Sequence, residues 1–351
     1  MASSLRKLTI QSAVLFILAC AAAVLFSACH SPLPINYEPI SPSAGRVVNH
    51  ANGESVIPLD PQRVVIMGSV IDAVALGVEP VGATLTGIPQ RANVNQLSPM
   101  MHDKTDDIAV LGHSNQPNLE SMVALAPDLI LATQKAGNLY RRLAQIAPTV
   151  VIDTSKGASE WKTYVLNFAI ALGKESEAQA LVQQYEQRVT QFRQLMGDRL
   201  ETTLVSVGRF RPDHVRIYQQ NSFSGAVLAD IGLLRPERQQ KNKPFEKISI
   251  EDLSSLDGDV LFFMQDNPDN SMLGQVQGHP LWSQLDVVKQ QAVYEVSLEV
   301  WFLNSGIVSA HMMLNDLFRM LVPNGEQYVI TQVGELSLPS ELPSELPSAA
   351  L

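Results

Sequence analysis

Two glutamates occupy equivalent positions in two similar stretches of the sequence. The stretches are NQPNLESMVALAPDLILAT (115–133) and KISIEDLSSLDGDVLFFMQ (247–265). Each contains a helix N-cap residue, a glutamate two positions later and an aspartate ten positions after the cap, namely Asn118, Glu120 and Asp128, then Ser249, Glu251 and Asp259. The helix dipole favours each carboxylate by about 0.3 to 1 kcal/mol. That explains each glutamate singly, but it leaves the repetition across 251 minus 120, or 131, residues unexplained.

A second group of residues could bind an anionic or oxygen-rich ligand. The stretch GRFRPDHVRIYQQNSF (208–223) contains Arg209, Arg211, Tyr218 and Phe223 around a predicted turn at Pro212-Asp213. Arginine offers a planar fork of donors, aromatic rings offer flat apolar area, and the two arginines share strand parity and so point the same way. The alternative is a pair of solvated charges beside a turn.

Other chemistries lack their residues. The seven histidines are scattered, and Gly-x-Ser-x-Gly, Walker and Gly-x-Gly-x-x-Gly motifs are absent, so we predict neither an enzyme nor an intrinsic metal or cofactor. Met100-Met101 and Met312-Met313 could ligate haem iron, although methionine more often fills a core.

The N-terminus is typical of an export signal. Basic Arg6 and Lys7 precede an apolar run, and Leu25-Phe26-Ser27-Ala28-Cys29 resembles the lipobox of bacterial lipoproteins. We predict a signal over 1–28, with Cys29 acylated and the chain anchored outside the cytoplasm by lipid. Cleavage before Cys20 and an uncleaved transmembrane anchor are the alternatives.

Without that signal the folded part contains neither a disulfide nor a reactive thiol, since both cysteines precede residue 30. Its formal charge is 23 minus 35, or −12, which argues against a nucleic-acid partner. The Pro/Ser-rich residues 29–46 are predicted to be a flexible tether, and 331–351, with repeated Pro-Ser-Glu-Leu, a disordered tail.

Strand and helix signals alternate along the rest of the chain, as in α/β folds. Predicted strands fall at 63–67, 80–84, 128–132 and 149–153, then at 203–207, 215–219, 259–264 and 292–296. We therefore predict an N-terminal lobe over 47–158 and a C-terminal lobe over 198–330.

Between these lobes, 159–197 is predicted to be a linking helix. Its helical signal is interrupted at Gly173. In its second part an apolar face is formed by Leu181, Tyr185, Val189, Phe192 and Met196. A straight helix over 160–196, 37 residues, would be roughly 55 Å long.

Four stretches together resemble the periplasmic-binding-protein family that feeds ferric siderophores, haem and cobalamin to importers. They are RVVIMGSVIDAVALGVEPVGAT, PNLESMVALAPDLIL, RIYQQNSFSGAVLADIGLLRP and VWFLNSGIVSAHMMLNDLFRML, and the likeness covers about residues 46–323. It is strongest to the ferrichrome- and ferric-citrate-type proteins. The resemblance implies two α/β lobes joined by a long rigid backbone helix, the class III periplasmic-binding-protein type, with ligand in a shallow cleft between them.

The resemblance also implies roles for individual residues. Glu120 and Glu251 would dock the lobes on the arginines of an ABC permease, which works with its ATPase. Trp301 falls where relatives place an aromatic ligand contact, although a core anchor is the alternative. An arginine of the hydroxamate-type pattern would fall at Ser114, so His113 and Arg91 are possible substitutes.

The predicted function is therefore capture of a ferric siderophore and its delivery to an ABC importer, with Arg209, Arg211, Tyr218 and Trp301 as ligand contacts. The alternatives are a haem- or cobalamin-binding protein of the same fold, and an enzyme or regulatory module on this scaffold.

Overall fold

Two β-sheets, formed by separate parts of the chain, organise the fold. The computed structural model describes residues 45–85 and 107–330. Within them the first sheet has strand order β6-β5-β4-β3-β7-β8, parallel except for β6. Its strands are β3 Val64–Met67, β4 Gly82–Leu85, β5 Ala109–His113, β6 Gln116–Pro117, β7 Leu129–Thr133 and β8 Thr149–Ile152.

The second sheet has strand order β11-β10-β9-β12-β13 within the described residues. β12 runs parallel to β9 and β13, whereas β10 is antiparallel to β9 and β11. The strands are β9 Val205–Phe210, β10 Val215–Tyr218, β11 Phe245–Ile248, β12 Val260–Gln265 and β13 Val293–Glu295. A separate hairpin precedes both sheets, formed by β1 Gly45–His50 and β2 Gly53–Pro58.

Helices surround and connect the sheets. They are α1 Val70–Ala75, α2 Leu119–Ala124, α3 Tyr140–Leu143, α4 Trp161–Leu172, α5 Glu175–Met196, α6 Phe223–Ile231, α7 Leu273–Gln277, α8 Asp286–Lys289 and α9 Ile307–Leu321. No helix in the two described ranges is long and apolar enough to cross a membrane. The fold is thus the predicted pair of α/β lobes.

Side-chain alternation divides the apolar residues of each sheet between two faces. In β3, Val64 and Ile66 join a central cluster, whereas Val65 joins a smaller cluster on the outer face. In β12, Phe262 points to the same central cluster and Phe263 to another outer one. One continuous apolar layer therefore lies between the sheets and includes the faces of both.

The helical segment between the sheets is two helices, as the interruption at Gly173 indicated. Gly173 ends α4 in the left-handed region (φ 70°, ψ 32°), where glycine lacks the usual steric penalty. The longer helix, α5, has 22 residues and so spans about 33 Å, short of the 55 Å of one straight helix. All five residues of its predicted apolar face are buried.

A buried arginine joins α5 to the C-terminal part of the chain. Arg188 donates through Nη1 to Nδ1 and the carbonyl oxygen of His311 (3.1 and 3.0 Å), and through Nη2 to Asn315 Oδ1 (2.7 Å) and the carbonyl of Tyr328 (3.0 Å). Burial lowers the pKa of Arg188 to about 10. Burial, and then the charge of Arg188, lower the pKa of His311 to about 3, so its neutral ring accepts the bond.

The structure confirms all eight predicted strands and adds others. The additions are β1, β2, β5, β6 and β11. Several predictions concern positions outside the described residues: the signal, Cys29 and Cys20, residues 29–44 of the tether, the tail, Arg91 and Met100-Met101. The last two residues of the predicted tether, Gly45 and Arg46, are instead the start of strand β1.

Replacing Arg188 by methionine should lower the free energy of unfolding by about 3 kcal/mol, because four buried or partly buried acceptors each lose a hydrogen-bond donor. Denaturant unfolding measures this. The control is Arg141→Met, at an exposed position, where we expect a change within about 0.5 kcal/mol. A loss below about 1 kcal/mol in Arg188→Met would contradict this account.

Candidate functional site

A cavity lies where the first sheet meets the segment that precedes α9. Its volume is about 280 Å³, and its lining combines residues at the carboxyl ends of β3, β7 and β8 with residues near the C-terminal end of the chain. Polar members include Ser69, Asp72, Thr133, Lys135 and Asn304. Ligands of α/β proteins bind at the carboxyl ends of strands, so the cavity is a candidate binding cleft.

Ser114 lines this cavity at the position where the family pattern has an arginine. Its hydroxyl lies 2.8 Å from Thr84 Oγ1 and donates to the carbonyl of Leu85 (3.2 Å), so the side chain is held against β4. The preceding residue, His113, accepts a bond at Nδ1 from the backbone N–H of Asn115 (3.3 Å) and is not part of the cavity lining. Of these two residues, Ser114 lines the cavity and His113 does not.

An arginine pair shares one carboxylate at the carboxyl ends of β9 and β12. Arg209 Nε donates to Asp266 Oδ1 (2.5 Å), and Arg211 Nη2 lies 3.4 Å from Asp266 Oδ2. Arg209 Nη1 also donates to the hydroxyl of Tyr218 (3.3 Å), and its guanidinium lies 4.6 Å from the ring centroid of Phe302. The expectation that both arginines point the same way is confirmed.

Burial separates the roles of these residues. Arg209 is 2% exposed and Tyr218 is fully buried, whereas the side chain of Arg211 is 29% exposed. The contact of Tyr218 with ligand stays a prediction; in this structure the residue is buried, and its ring is covered by Phe245 and Phe302. Arg209 is likewise an inner residue, and Arg211 is the accessible member of the pair.

Arg216 extends the cluster across the hairpin. It pairs in register with Arg209, and its guanidinium lies 4.1 Å from the ring centroid of Phe245 on the neighbouring strand. Burial lowers the pKa of Arg216, and the positive charge of Arg211 lowers it further, as does that of Arg209. Three guanidinium groups therefore interact electrostatically at one end of the second sheet.

Sequence reasoning missed four members of this cluster. Arg216 has the parity of Tyr218 on the returning strand, and Asp266 directly follows β12, so both had a positional signal. Phe302 and Phe245 had none, because their places depend on segments far away in the chain. Both are half-buried and supply the aromatic surface beside the arginines.

Trp301 belongs to the core in this structure, which agrees with the alternative of a core anchor. It is fully buried, its ring lies 4.8 Å from that of Phe262, and its Nε1 donates to Asp316 Oδ2 (2.8 Å).

Phe223 is also buried, with its ring 6.1 Å from that of Trp161. Met313 and Met312 belong to the central apolar layer.

The two repeated glutamates are both exposed, one on each lobe. Glu120 lies in the first turn of α2, where Asn118 Oδ1 accepts the N–H of Ser121 (2.9 Å), as a predicted N-cap should. The second copy is a 3₁₀ segment, Ile250–Leu256, in which Ser249 makes no capping bond to the backbone. The Ser249 hydroxyl instead bonds Glu251, and this bond is the largest cause of the lowered pKa of Glu251.

The aspartates of the repeat have the same function in both lobes. Asp128 accepts the N–H groups of Gln62 (2.7 Å) and Arg63 (2.9 Å), just before β3. Asp259 accepts the N–H of Leu204 (2.7 Å), just before β9. Each aspartate therefore ties the start of its own strand to the start of the neighbouring strand.

The described residues contain no group of three or more His, Cys, Asp or Glu side chains that could hold a metal ion. The polar side chains of the cavity and of the arginine cluster suit a ligand rich in oxygen atoms, since guanidinium, ammonium and hydroxyl groups all donate hydrogen bonds.

The sequence and the fold both match known proteins. The family described as "Periplasmic binding protein" matches residues 64–298. The chain is 32% identical to the probable siderophore-binding lipoprotein YfiY of Bacillus subtilis, over 84% of this chain and 94% of that protein. It is 30% identical to the achromobactin-binding periplasmic protein of Dickeya dadantii, over 74% and 86%.

Among solved structures, Staphylococcus aureus SirA complexed with staphyloferrin B superposes with a TM-score of 0.68 at 28% identity, covering 79% of this chain and 98% of SirA. The family match and the sequence identity lead to one conclusion: this chain belongs to the periplasmic binding protein family.

Proposed function

We propose that this protein captures a ferric siderophore in the cleft between its lobes and delivers it to an ABC importer. Relatives described as siderophore-binding, achromobactin-binding and Fe(3+)-citrate-binding proteins support this cargo. The iron arrives already chelated, so the protein only has to recognise the outer atoms of the chelate. No covalent step is required, and the chain acts as a carrier and not as an enzyme.

The observation that carries the proposal is the charge of the cluster on the second sheet. The guanidinium groups of Arg209 and Arg211 share the carboxylate of Asp266, and a third, that of Arg216, lies close enough for their positive charges to act on it. The local excess of positive charge contrasts with the formal net charge of −10 for the whole chain. An anionic, oxygen-rich chelate is thus attracted to this surface and not to the rest of the protein.

Arg211 is the residue best placed to contact the chelate. It is partly exposed, and its Nε is a buried donor without a hydrogen-bond acceptor among the described residues. Buried donors are nearly always paired in proteins, so a chelate oxygen is a fitting partner. Arg209 and Asp266 hold the guanidinium in place, while Phe302 and Phe245 offer apolar faces to the ligand.

Delivery requires a second surface and a location. Exposed Glu120 and Glu251 dock the two lobes on arginines of the permease. Acylated Cys29 holds the protein at the outer face of the cell membrane, within the periplasm where an outer membrane exists. These roles, like those of His113 and Arg91 as additional ligand contacts, rest on the family resemblance and on the positions of the residues.

Equilibrium binding to ferric citrate, a ferric trihydroxamate and a ferric triscatecholate tests the cargo, with tryptophan fluorescence as the readout. We expect at least one chelate to bind with a Kd below ~10 μM, about −7 kcal/mol. Failure of all three would refute the proposal. A Soret band in protein purified from its host, tight cobalamin binding, or turnover of esters or peptides would favour the alternatives of the same fold.

Changing Arg211 to alanine should weaken binding of the best chelate at least tenfold, about 1.4 kcal/mol, because the accessible guanidinium is removed. The matched control is Arg238→Ala, since Arg238 lies on the same lobe, is 49% exposed and pairs with Asp252. Its affinity should stay within twofold of wild type. Equal losses in the two variants would show that charge on the lobe matters and the specific contact does not.

Replacing Glu120 and Glu251 together by alanine should abolish siderophore-dependent uptake but leave chelate affinity in solution unchanged. Both side chains are exposed and lie outside the described cavity lining and the arginine cluster. Radioactive iron uptake by cells, compared with equilibrium binding by purified protein, separates the two effects. Normal uptake in the double variant would contradict the docking role, and reduced affinity would assign these residues to the cleft or the fold.

A further inference from the structure

The N-terminus of α9 is capped by a residue from the other end of the chain. The residue at its N-cap position is Gly306, which has no side chain to accept a bond from the free helix amides. Asp72, on α1 of the N-terminal lobe, takes this role through Oδ1, which accepts the N–H of Val308 (3.2 Å). Asp72 is 5% exposed, and burial raises the pKa of its carboxyl group, while the bonds from the backbone N–H groups of Val308 and Ile307 oppose that rise.

The contact between Asp72 and Gly306 leaves no room for a side chain. A Cβ atom at position 306 would lie 1.7 Å from Asp72 Oδ2. The backbone of Gly306 is extended (φ −144°, ψ −171°), a conformation that any residue adopts. The close approach of the carboxylate, and not backbone geometry, is therefore what requires glycine here.

This contact lies at the end of a segment that forms part of both binding surfaces. Phe302 covers the guanidinium of Arg209, and the next three residues, 303–305, line the cavity together with Asp72. One end of the segment is fixed by Trp301 through its bond to Asp316. The other end, at Gly306, is fixed by Asp72.

We propose that Asp72 is a positioning residue for ligand binding: by capping α9 it holds the segment 302–305 in the place where Phe302 and the cavity wall meet the chelate. The inference rests on the proposed function, because it concerns the same ligand. The proposal also connects the two lobes. Asp72 belongs to the N-terminal lobe, and it fixes the segment 302–305, whose Phe302 contacts Arg209 in the arginine cluster of the C-terminal lobe.

The first test compares Asp72→Ala with Asp72→Asn in purified protein, using ferric citrate or whichever of the three chelates above binds wild type most tightly. Asparagine retains an acceptor and caps helices about as well as aspartate, whereas alanine does not. We expect at least a tenfold loss of affinity in Asp72→Ala and less than a threefold loss in Asp72→Asn. Amide exchange of Ile307 and Val308 should accelerate in the alanine variant alone.

The matched control is Asn118→Ala, which removes the N-cap of α2, a helix outside the cavity lining. Its melting temperature should fall as a lost cap requires, but its chelate affinity should stay within twofold of wild type. An affinity loss as large as that of Asp72→Ala would overturn the proposal, because destabilisation alone would then explain the result.

A second pair of variants tests the contact from the opposite side, and remains informative if Asp72→Ala folds poorly. Gly306→Ala should weaken binding at least tenfold in the wild-type background, because the new methyl group displaces the carboxylate. In the Asp72→Ala background there is space for this methyl group, so the same change should cost less than twofold. Independent, additive losses would overturn the proposal.

Two failures remain distinguishable. If wild-type protein binds none of the three chelates, the proposed function fails, and amide exchange at Val308 still reports whether Asp72 caps α9. If wild type binds and Asp72→Ala binds equally well, the proposed function stands and the positioning role is refuted.

Discussion

The apolar layer shared by the two sheets is the constraint on which the rest of the structure depends. Because side chains alternate along each strand, one face of each sheet contributes to this layer, together with α4, α5 and α9. Burial of a single aliphatic or aromatic side chain contributes about 1.5 to 3 kcal/mol, so a change in the relation between the lobes would disrupt many such contacts at once. The layer therefore links the lobe that contributes most of the cavity lining to the lobe that carries the arginine cluster.

The chain is acidic overall, but one cluster on the second sheet is locally positive. A buried arginine without a partner would be strongly unfavourable, and Asp266 removes that cost for Arg209 by a short, charge-assisted bond. The same carboxylate neutralises only one of three guanidinium groups, so the cluster retains positive charge although the chain as a whole is acidic. Arg188 shows a different solution, since its partners are neutral acceptors and its pKa falls to about 10.

The sequence predicted the elements better than it predicted exposure. Strand-like runs located eight strands, and the shared parity of Arg209 and Arg211 predicted that both side chains point the same way, as they do toward Asp266. Strands with weak apolar character, β6 and β11 among them, were missed. They are strands because their backbones pair with β5 and β10, and their own sequences carry no strand pattern. The pattern around Ser249 matched that around Asn118, yet one copy is a 3₁₀ segment and the other an α-helix, because local offsets do not determine how a turn packs.

Tyr218 and Trp301 illustrate the limit most clearly. Whether an aromatic ring faces ligand or core depends on the residues that cover it. Trp301 is covered by Phe262 and bonded by Asp316, and Tyr218 is covered by Phe245 and Phe302. Residues that are distant in the sequence cover these rings, and they leave no pattern in the sequence near Tyr218 or Trp301. The burial of the two side chains could therefore not be predicted from the sequence.

The two aspartates of the internal repeat give the exposed glutamates a further property. Asp128 and Asp259 fasten the chain that follows Glu120 and Glu251 to residues just before the neighbouring strands, so the position of each glutamate is tied to its own sheet. The distance between the two glutamates therefore depends on the angle between the two sheets. A partner protein that contacts both glutamates at once can therefore respond to the arrangement of the lobes without touching the bound ligand.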